Sequence, residues 1–594
     1  MQVTHSTPSD PSFSAAGKAA WDAGHTIVGG SITVKDAPYN AVGDGVNNDT
    51  ATVAAAVTAA SALGVSSGGM CRLQFPFGTY LLDNLSVKPN VWYDLGEATL
   101  KKRIDGASIP TNSLIRAVET LVAGSYYGTY SNIKITGGYL DPNGKLCPDS
   151  LVRLLYVDRL HIEGVTVLDA PSANWTFALG GRNGRVVNNT LLGGTELFED
   201  GIHLLHGQYW EISGNHVESG DDAIALGCTA DSYVEADPDP IRYVTGFGNT
   251  VKSNKANALR IYTHLGHTGT NWEITDVAFD GLTGTAGTTR NGGVLFDDNN
   301  GGVAGTSQHK RISLTGLQLK VGGTSHDDTN PVGVWISSGM DIKISGNVEV
   351  TDGAGAANGF RVWQVDNSQD VDLSGLNCGA IQKNGGGSVT DSTRVHYNSS
   401  KLIGSAVQAQ SMIVLNNATD FRMNDTDLLN VPDGFSGIAP TALCPSSMQI
   451  RGGKIAQVGG ATTGGGIIGV ASSYGYIDID GIDLTGCSNK LSGSSIAASS
   501  ANYNIRNVAG ASTDVRGQAI ITAAATSVVV THGAAVQTTA LGQISVTPET
   551  PWRNATKWWI STITGTGFTI NCDIVPGANF TFRWIVNSGK KPAS

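Results

Sequence analysis

The sequence predicts an all-β protein: a right-handed parallel β-helix with an N-terminal capping helix and a C-terminal β-sandwich. Three observations predict it. A loose unit, apolar-x-apolar-x-Gly, returns along the chain at intervals of roughly 25–30 residues, the mark of a solenoid. Ile133-Lys-Ile-Thr-Gly137, Trp210-Glu-Ile-Ser-Gly214, Ile342-Lys-Ile-Ser-Gly346 and Ile477-Asp-Ile-Asp-Gly481 are instances. Glycine occurs 77 times in 594 residues and only 15% of the residues are charged, while Val, Ile and Leu persist throughout. That composition describes many short strands joined by tight turns, not a disordered chain. Finally, one Ala-rich stretch precedes the repeats and an aromatic-rich set of short strands follows them.

Taken in order, residues 1–35 are polar, with one short helical piece at Ala15–Gly24, and read as a neck or linker. Ala51–Gly64 is the capping helix: Ala is the strongest helix former, Val53 and Val57 share a face, Asp49 is its N-cap and Gly64 its stop. Such a helix covers the open end of a β-stack, whose edge would otherwise be exposed. Strands follow at Arg72–Leu82 and Val91–Leu95, and the repeats carry the β-helix over residues 36–512. Strands of β-branched residues with no helix between them exclude helical repeat arrays and fit coils that contact only their neighbours. Asn188, Asn189, Asn215, Asn254 and Asn347 recur at turns, where Asn tolerates the left-handed conformation. Residues 513–594 form the sandwich, with strands at Thr526–Thr531, Gln543–Thr547, Lys557–Ile560, Phe568–Asn571 and Asn579–Trp584. Its Trp552, Trp558, Trp559 and Trp584 serve as core or inter-subunit packing, with stacking on sugar rings as the other reading.

The net charge of −12 argues against a nucleic-acid partner. Seven dispersed cysteines without a CxxC pair read as reduced core thiols. No apolar run approaches a membrane span, and no signal-peptide pattern follows Met1, so membrane insertion is not expected.

Three segments lay onto one another: Asp200-Gly-Ile-His-Leu-Leu, Asp222-Ala-Ile-Ala-Leu-Gly and Asn257-Ala-Leu-Arg-Ile-Tyr. Each alternates as a half-buried strand does. Stacked strands lie roughly 4.8 Å apart, so aligned positions form columns. One column reads Glu199, Asp221, Ala256; the next Asp200, Asp222, Asn257; an outward one His203, Ala225, Arg260. Ionised acids one coil apart repel, which raises at least one pKa and lets one acid donate a proton while its neighbour stays ionised. Glycosidic hydrolysis needs that division. Glu199, Asp200, Asp221 and Asp222 are therefore the catalytic candidates, and Arg260, His203, Tyr262 and Asn257 the substrate-binding ones. The plainer alternative is that the acids cap turns in a Gly-rich chain. Asp297-Asp298 and Asp327-Asp328 read as solvated turns. No cofactor or metal motif stands out.

Asn40-Ala-Val-Gly-Asp-Gly, the helix after it and Phe75-Pro-Phe-Gly-Thr-Tyr80 resemble the entry signature of the pectate-lyase-like superfamily. Glu199-Asp200-Gly-Ile, Ser219-Gly-Asp-Asp-Ala-Ile-Ala-Leu226 and Leu259-Arg-Ile-Tyr262 resemble the family 28 polygalacturonase-like glycoside hydrolases over about residues 35–300. Phe198-Glu199 stands where that family has Asn-Thr, Tyr262 where it has Lys, and its Gly-His-Gly turn has no counterpart. The whole chain looks more like a bacteriophage tailspike depolymerase. That resemblance implies a homotrimer on a phage tail, attached to the baseplate through its N-terminal region, that hydrolyses bacterial capsule or O-antigen at the host surface. It also implies Asp222 as general acid and Asp200 and Asp221 as bases holding the nucleophilic water. A polysaccharide lyase, a non-catalytic polysaccharide-binding spike and a secreted pectinase are the other readings, and the stereochemical course stays open.

Overall fold

The protein is described here by a computed structural model. It covers residues 30–104, 113–117, 130–144, 149–169, 175–195, 199–228, 239–263, 273–287, 292–297, 308–322, 332–350, 361–381, 385–404, 411–440, 447–458, 465–467, 474–491, 500–509, 511, 514–532, 543–551, 554–587 and 590–591. The helical piece expected at 15–24 lies outside the described residues. The chain divides into two units, Met1–Asp328 and Thr329–Ser594.

In the first unit, parallel strands stack in three series, and several long strands span two of them. The site-bearing series runs Ile115–Arg116, Val152–Glu163, Phe177–Val187, Ile202–Ser213, Ile224–Cys228, Leu259–Thr263 and Gly292–Asp297, each paired with the next. A second series comprises Thr166–Val167, Thr190–Leu191, His216–Ser219, Thr250–Ser253 and Thr283–Ala286. A third continues from the far half of Ile202–Ser213 through Ile241–Phe247, Ile274–Asp280 and His309–Val321. Alternation sends one side chain in two inward. Ile115, Val152, Phe177, Ile202, Ile224, Leu259 and Val294 are thus stacked and buried, one above another.

The turns differ from expectation. Asn188 is left-handed, with φ 57°, but Asn189 and Asn215 instead form a buried ladder with Asn249. Asn189 donates from its backbone N–H and its amide to Asn215 Oδ1 (both 3.0 Å), and Asn215 donates likewise to Asn249 Oδ1 (both 3.1 Å). The amide satisfies backbone groups that a buried turn would leave unpaired. The left-handed bend between the first and third series falls on one residue per coil, in register: Arg159, Asn183, Tyr209, Tyr243, Asp276 and Arg311, with φ between 53° and 62°.

The helix spans Thr50–Ser67, three residues beyond its expected stop. Gly64 lies inside it because a Cβ there would meet Asn90 O at 2.3 Å, and the left-handed stop is Gly68 (φ 69°). Asp49 holds the N-cap position without capping through its side chain: its carboxylate accepts from the backbone N–H groups of Val42 (2.7 Å) and Gly43 (3.0 Å). With 18 residues and a mean hydropathy of 1.3, this helix is long and apolar enough to cross a membrane, contrary to the sequence-based expectation. Val53, Ala56, Val57, Ala60, Ser61 and Gly64 are nevertheless buried, as on the inner face of a core helix.

The second unit repeats the parallel arrangement. One series runs from Val332–Ser337 through Arg361–Asp366 and Gly387–Thr390 to Asn489–Leu491, and a second from Gly339–Val350 to Ser500–Arg506. A third runs from Asn377–Ile381 to Asp483–Gly486. Beyond them lie two three-stranded antiparallel sheets. Asp514–Ile521, Phe580–Asn587 and Ile544–Pro548 make one; Ser527–Thr531, Gly567–Cys572 and Trp558–Thr564 make the other. Their buried residues form one cluster including Phe568, Phe580, Phe582 and Trp584, with Trp558 packed against it. Trp559 is exposed, and Trp552 lies outside the described residues. Cys71, Cys228, Cys487 and Cys572 are buried and unbridged. The protein is thus nearly all β, with parallel β-helix-like stacks in both units.

Candidate active site

The aligned columns are those of the structure. His203 pairs in register with Ala225, and Ala225 with Arg260. One step before the strands, a side-chain ladder ties the coils together. Asp222 donates its backbone N–H to Asp200 Oδ1 (3.1 Å), Asn257 to Asp222 Oδ1 (3.2 Å) and Gly292 to Asn257 Oδ1 (3.1 Å). One oxygen of Asp200 and one of Asp222 therefore do the turn-capping that a Gly-rich chain demands, and the other faces His203 or Arg260.

Asp200, Asp221 and Asp222 each offer an oxygen within 4.8 Å of the others. A water donating hydrogen bonds of about 2.8 Å to two oxygens at the limit of that spacing subtends about 120°, somewhat wider than its own H–O–H angle of about 105°. Glu199 is not part of this cluster: it is fully buried, and its Oε2 accepts from Thr195 N–H at 2.5 Å. The three carboxylates are also a set that could hold a metal ion, with water or backbone oxygens completing its shell. A neighbouring cation already meets part of their charge.

That cation is Arg260. Its Nη1 lies 3.5 Å from Asp222 Oδ2, its Nη2 donates to Asp297 Oδ2 at 3.0 Å, and its guanidinium lies 4.2 Å from the Tyr262 ring centroid. Burial acts to lower its pKa, but Asp222, Tyr262 and Asp297 outweigh it and raise the pKa. Asp297 is therefore a partner of the site and not a solvated turn: Gly292–Asp297 is a strand that sets Asp297 beside Tyr262. Asp298, Asp327 and Asp328 lie outside the described residues.

Asp222 is enclosed. Its side chain is 2% exposed, with Oδ1 bound by the Asn257 amide (2.8 Å) and Oδ2 facing Arg260. The Asp200 carboxyl is pushed well above the usual carboxylate range, first by burial and then by the charge of Asp222, with Arg260 opposing. Its Oδ2 lies 2.7 Å from His203 Nδ1, too close for two lone pairs, so a proton sits between them. His203 Nε2 in turn meets the Tyr262 hydroxyl at 3.0 Å. Gly227, paired with Tyr262 in register, leaves the space for that contact.

Sequence reasoning missed Trp175. It sits one coil before Asp200 in the same column, and its ring centroid is 4.3 Å from that of His203. Its position two residues before Phe177, as Asp200 is before Ile202, was a usable signal.

No protein-family model matches the chain, and no curated protein matches it in sequence. Solved structures do. The family 28 exopolygalacturonase of Yersinia enterocolitica is 15% identical over 68% of this chain and 78% of its own, with a TM-score of 0.43. The tailspike protein of Escherichia coli bacteriophage HK620, solved with a hexasaccharide, is 11% identical over 96% and 94%, with a TM-score of 0.47. PfbA, a surface adhesin of Streptococcus pneumoniae, is 14% identical over 71% and 92%, with a TM-score of 0.42. The neighbours thus include both groups that the sequence resembles, family 28 enzymes and phage tailspikes.

Proposed function

We propose that the protein is a tailspike depolymerase that hydrolyses glycosidic bonds of bacterial surface polysaccharide. The observation that carries this reading is the convergence of Asp200, Asp221 and Asp222 within 4.8 Å, just before strands of a parallel sheet, beside Arg260. Like charges so close cannot all ionise. Asp200, whose pKa is raised, holds the proton and donates it to the leaving oxygen. Asp221 positions the attacking water. Asp222, enclosed between Asn257 and Arg260, is a fixed charge that adds to burial in keeping the Asp200 pKa high, in place of the acid role the resemblance gives it. Arg260 and Tyr262 orient the sugar.

In this reading residues 36–512 form the catalytic β-helix under its helical cap. Residues 1–35 join it to the tail, and residues 513–594 form a sandwich that holds a trimer. The test is incubation with purified capsules and O-antigens, followed by mass analysis of the products. Asp221→Asn and Asp200→Asn should abolish shortening of the polymer that the wild type cuts; undiminished cleavage by either variant overturns the assignment.

One observation favours a second reading, a polysaccharide lyase. A tyrosine hydroxyl bound to a histidine beside an arginine is a base with a charge neutraliser at hand. A lyase would leave a new double bond absorbing near the ultraviolet edge, and a hydrolase would not.

A further inference from the structure

The column of His203 and Arg260 extends beyond the acids. In register it runs Arg116, Arg153, Ala178, His203, Ala225, Arg260. Two arginines thus stand on adjacent coils of the same outward face, roughly 4.8 Å apart along the stack. Like charges at that spacing repel, and neither is fully exposed. Arg153 contacts Asp149 Oδ2 at 3.4 Å, an oxygen that also accepts from Ser113 Oγ at 3.1 Å. Arg116 makes no ion pair with any described residue, and its Nε is buried without a hydrogen-bond partner. A half-buried guanidinium without a counter-charge is costly. An arrangement of this kind is balanced when an anion supplies the missing charge.

We infer that Arg116 and Arg153 form an oxyanion subsite for an acidic sugar, a uronic acid in the first instance. The inference deepens the proposed function and rests on it for the polymeric nature of the ligand. Planar guanidinium forks match a carboxylate's two oxygens. Arg153 lies two coils, about 10 Å, from His203, and Trp175, packed with Ala178 and Tyr156, fills the interval. The face reads cation pair, aromatic platform, acids, cation. A polymer lying along the coils places a charged sugar on the arginines, a neighbouring ring against Trp175 and the scissile bond over the acids. A neutral polysaccharide leaves the Arg116 charge unmet.

The experiment reads binding instead of cleavage. Melting temperatures of the full chain are measured in sodium glucuronate, in sodium sulfate and in glucose with sodium chloride at matched ionic strength. Glucuronate should raise the melting temperature above the chloride–glucose control, since a ligand bound only to the folded state stabilises it. Asp221→Asn should keep that rise. Arg116→Gln and Arg153→Gln should each weaken glucuronate binding at least tenfold, and Arg116→Gln should leave the ligand-free protein as stable as the wild type or more so. A rise with sulfate equal to that with glucuronate reassigns the sugar's anion to a sulfate or phosphate ester within the same subsite. The proposal is overturned if no anion raises the melting temperature, if Arg116→Gln leaves the rise intact, or if Arg116→Gln destabilises the ligand-free protein. Because Asp221→Asn is tested for binding alone, failure of the hydrolase reading and failure of the subsite give different results.

Discussion

Replacing Gly227 by alanine should separate His203 from Tyr262 while leaving the coil backbone in place. Gly227 does not lie in the left-handed region, so alanine adopts its conformation freely. Space is the obstacle. The added Cβ would lie 2.5 Å from Tyr262 Cζ, 2.6 Å from Cε1 and 2.7 Å from His203 Nε2, against carbon contacts of roughly 3.5–4.0 Å. Relieving that overlap takes a displacement of about 1 Å. It stretches the 3.0 Å contact between Tyr262 and His203 beyond hydrogen-bond range and lifts the ring from Arg260. Overpacking of this kind costs about 1–3 kcal/mol of stability. A misplacement of about 1 Å in a catalytic constellation lowers the rate by up to about 100-fold. The assay pairs reducing-end release from the cleaved polymer with thermal melting, so that a folded but slow enzyme is recognised as such. A Gly227→Ala protein that melts and cuts like the wild type would refute this account of the His203–Tyr262 contact.

Other perturbations test the site and scaffold separately. The raised Asp200 pKa means that the folded state binds this proton more tightly than the unfolded state. The stability linked to it is complete below the unfolded value of about 3.9 and lost as pH rises toward the folded value, by about 1.4 kcal/mol for each pH unit that separates the two. Asp200→Asn should therefore match the wild type in urea unfolding near pH 4 and exceed it at pH 8; a variant less stable at pH 8 contradicts the argument. Catalysis should fall on the alkaline side as Asp200 loses its proton, and a rate that keeps rising through that range rules it out as the donor. Tyr262→Phe removes only the hydroxyl, and about fivefold lower kcat/KM is expected from one lost hydrogen bond, with a lower melting temperature because His203 Nε2 stays buried after losing it. Asn215→Ala strips the Asn ladder of an amide that bridges Asn189, Val186 and Asn249. Unfolding in urea should show a loss of about 3 kcal/mol or more, because the groups left behind stay buried.

The columns were legible because the side-chain period of a strand is two and parallel pairing in a stacked coil fixes the register. Once Ile202, Ile224 and Leu259 are aligned, His203 and Arg260 follow. What the alignment could not supply was the direction of each acid. Glu199 shares its column with Asp221, yet it turns inward to a backbone N–H. Asp222 reads like its neighbours but is closed in by Asn257 and Arg260. Asp297 was hidden by composition, since Asp-Asp-Asn-Asn reads as a turn until the strand before it is paired. Arg116 and Arg153 were hidden by distance: Arg116 lies on a two-residue strand with no repeat signal of its own, and only the pairing places it in the column. The Asn ladder and the left-handed bends were exchanged for a related reason. Composition marks where turns fall, but only burial separates an Asn that caps backbone groups from one that bends the chain.

In the proposed function, Asp200, Asp221 and Asp222 deliver water to a glycosidic carbon. The measurement that tests it most directly is cleavage of a susceptible surface polysaccharide in water enriched in oxygen-18. Mass spectrometry of the oligosaccharides should show the heavy oxygen at each new end, with no unsaturated sugar, and Asp221→Asn should form no such product. Unlabelled fragments ending in an unsaturated sugar, or labelled fragments formed as fast by Asp221→Asn, would contradict it.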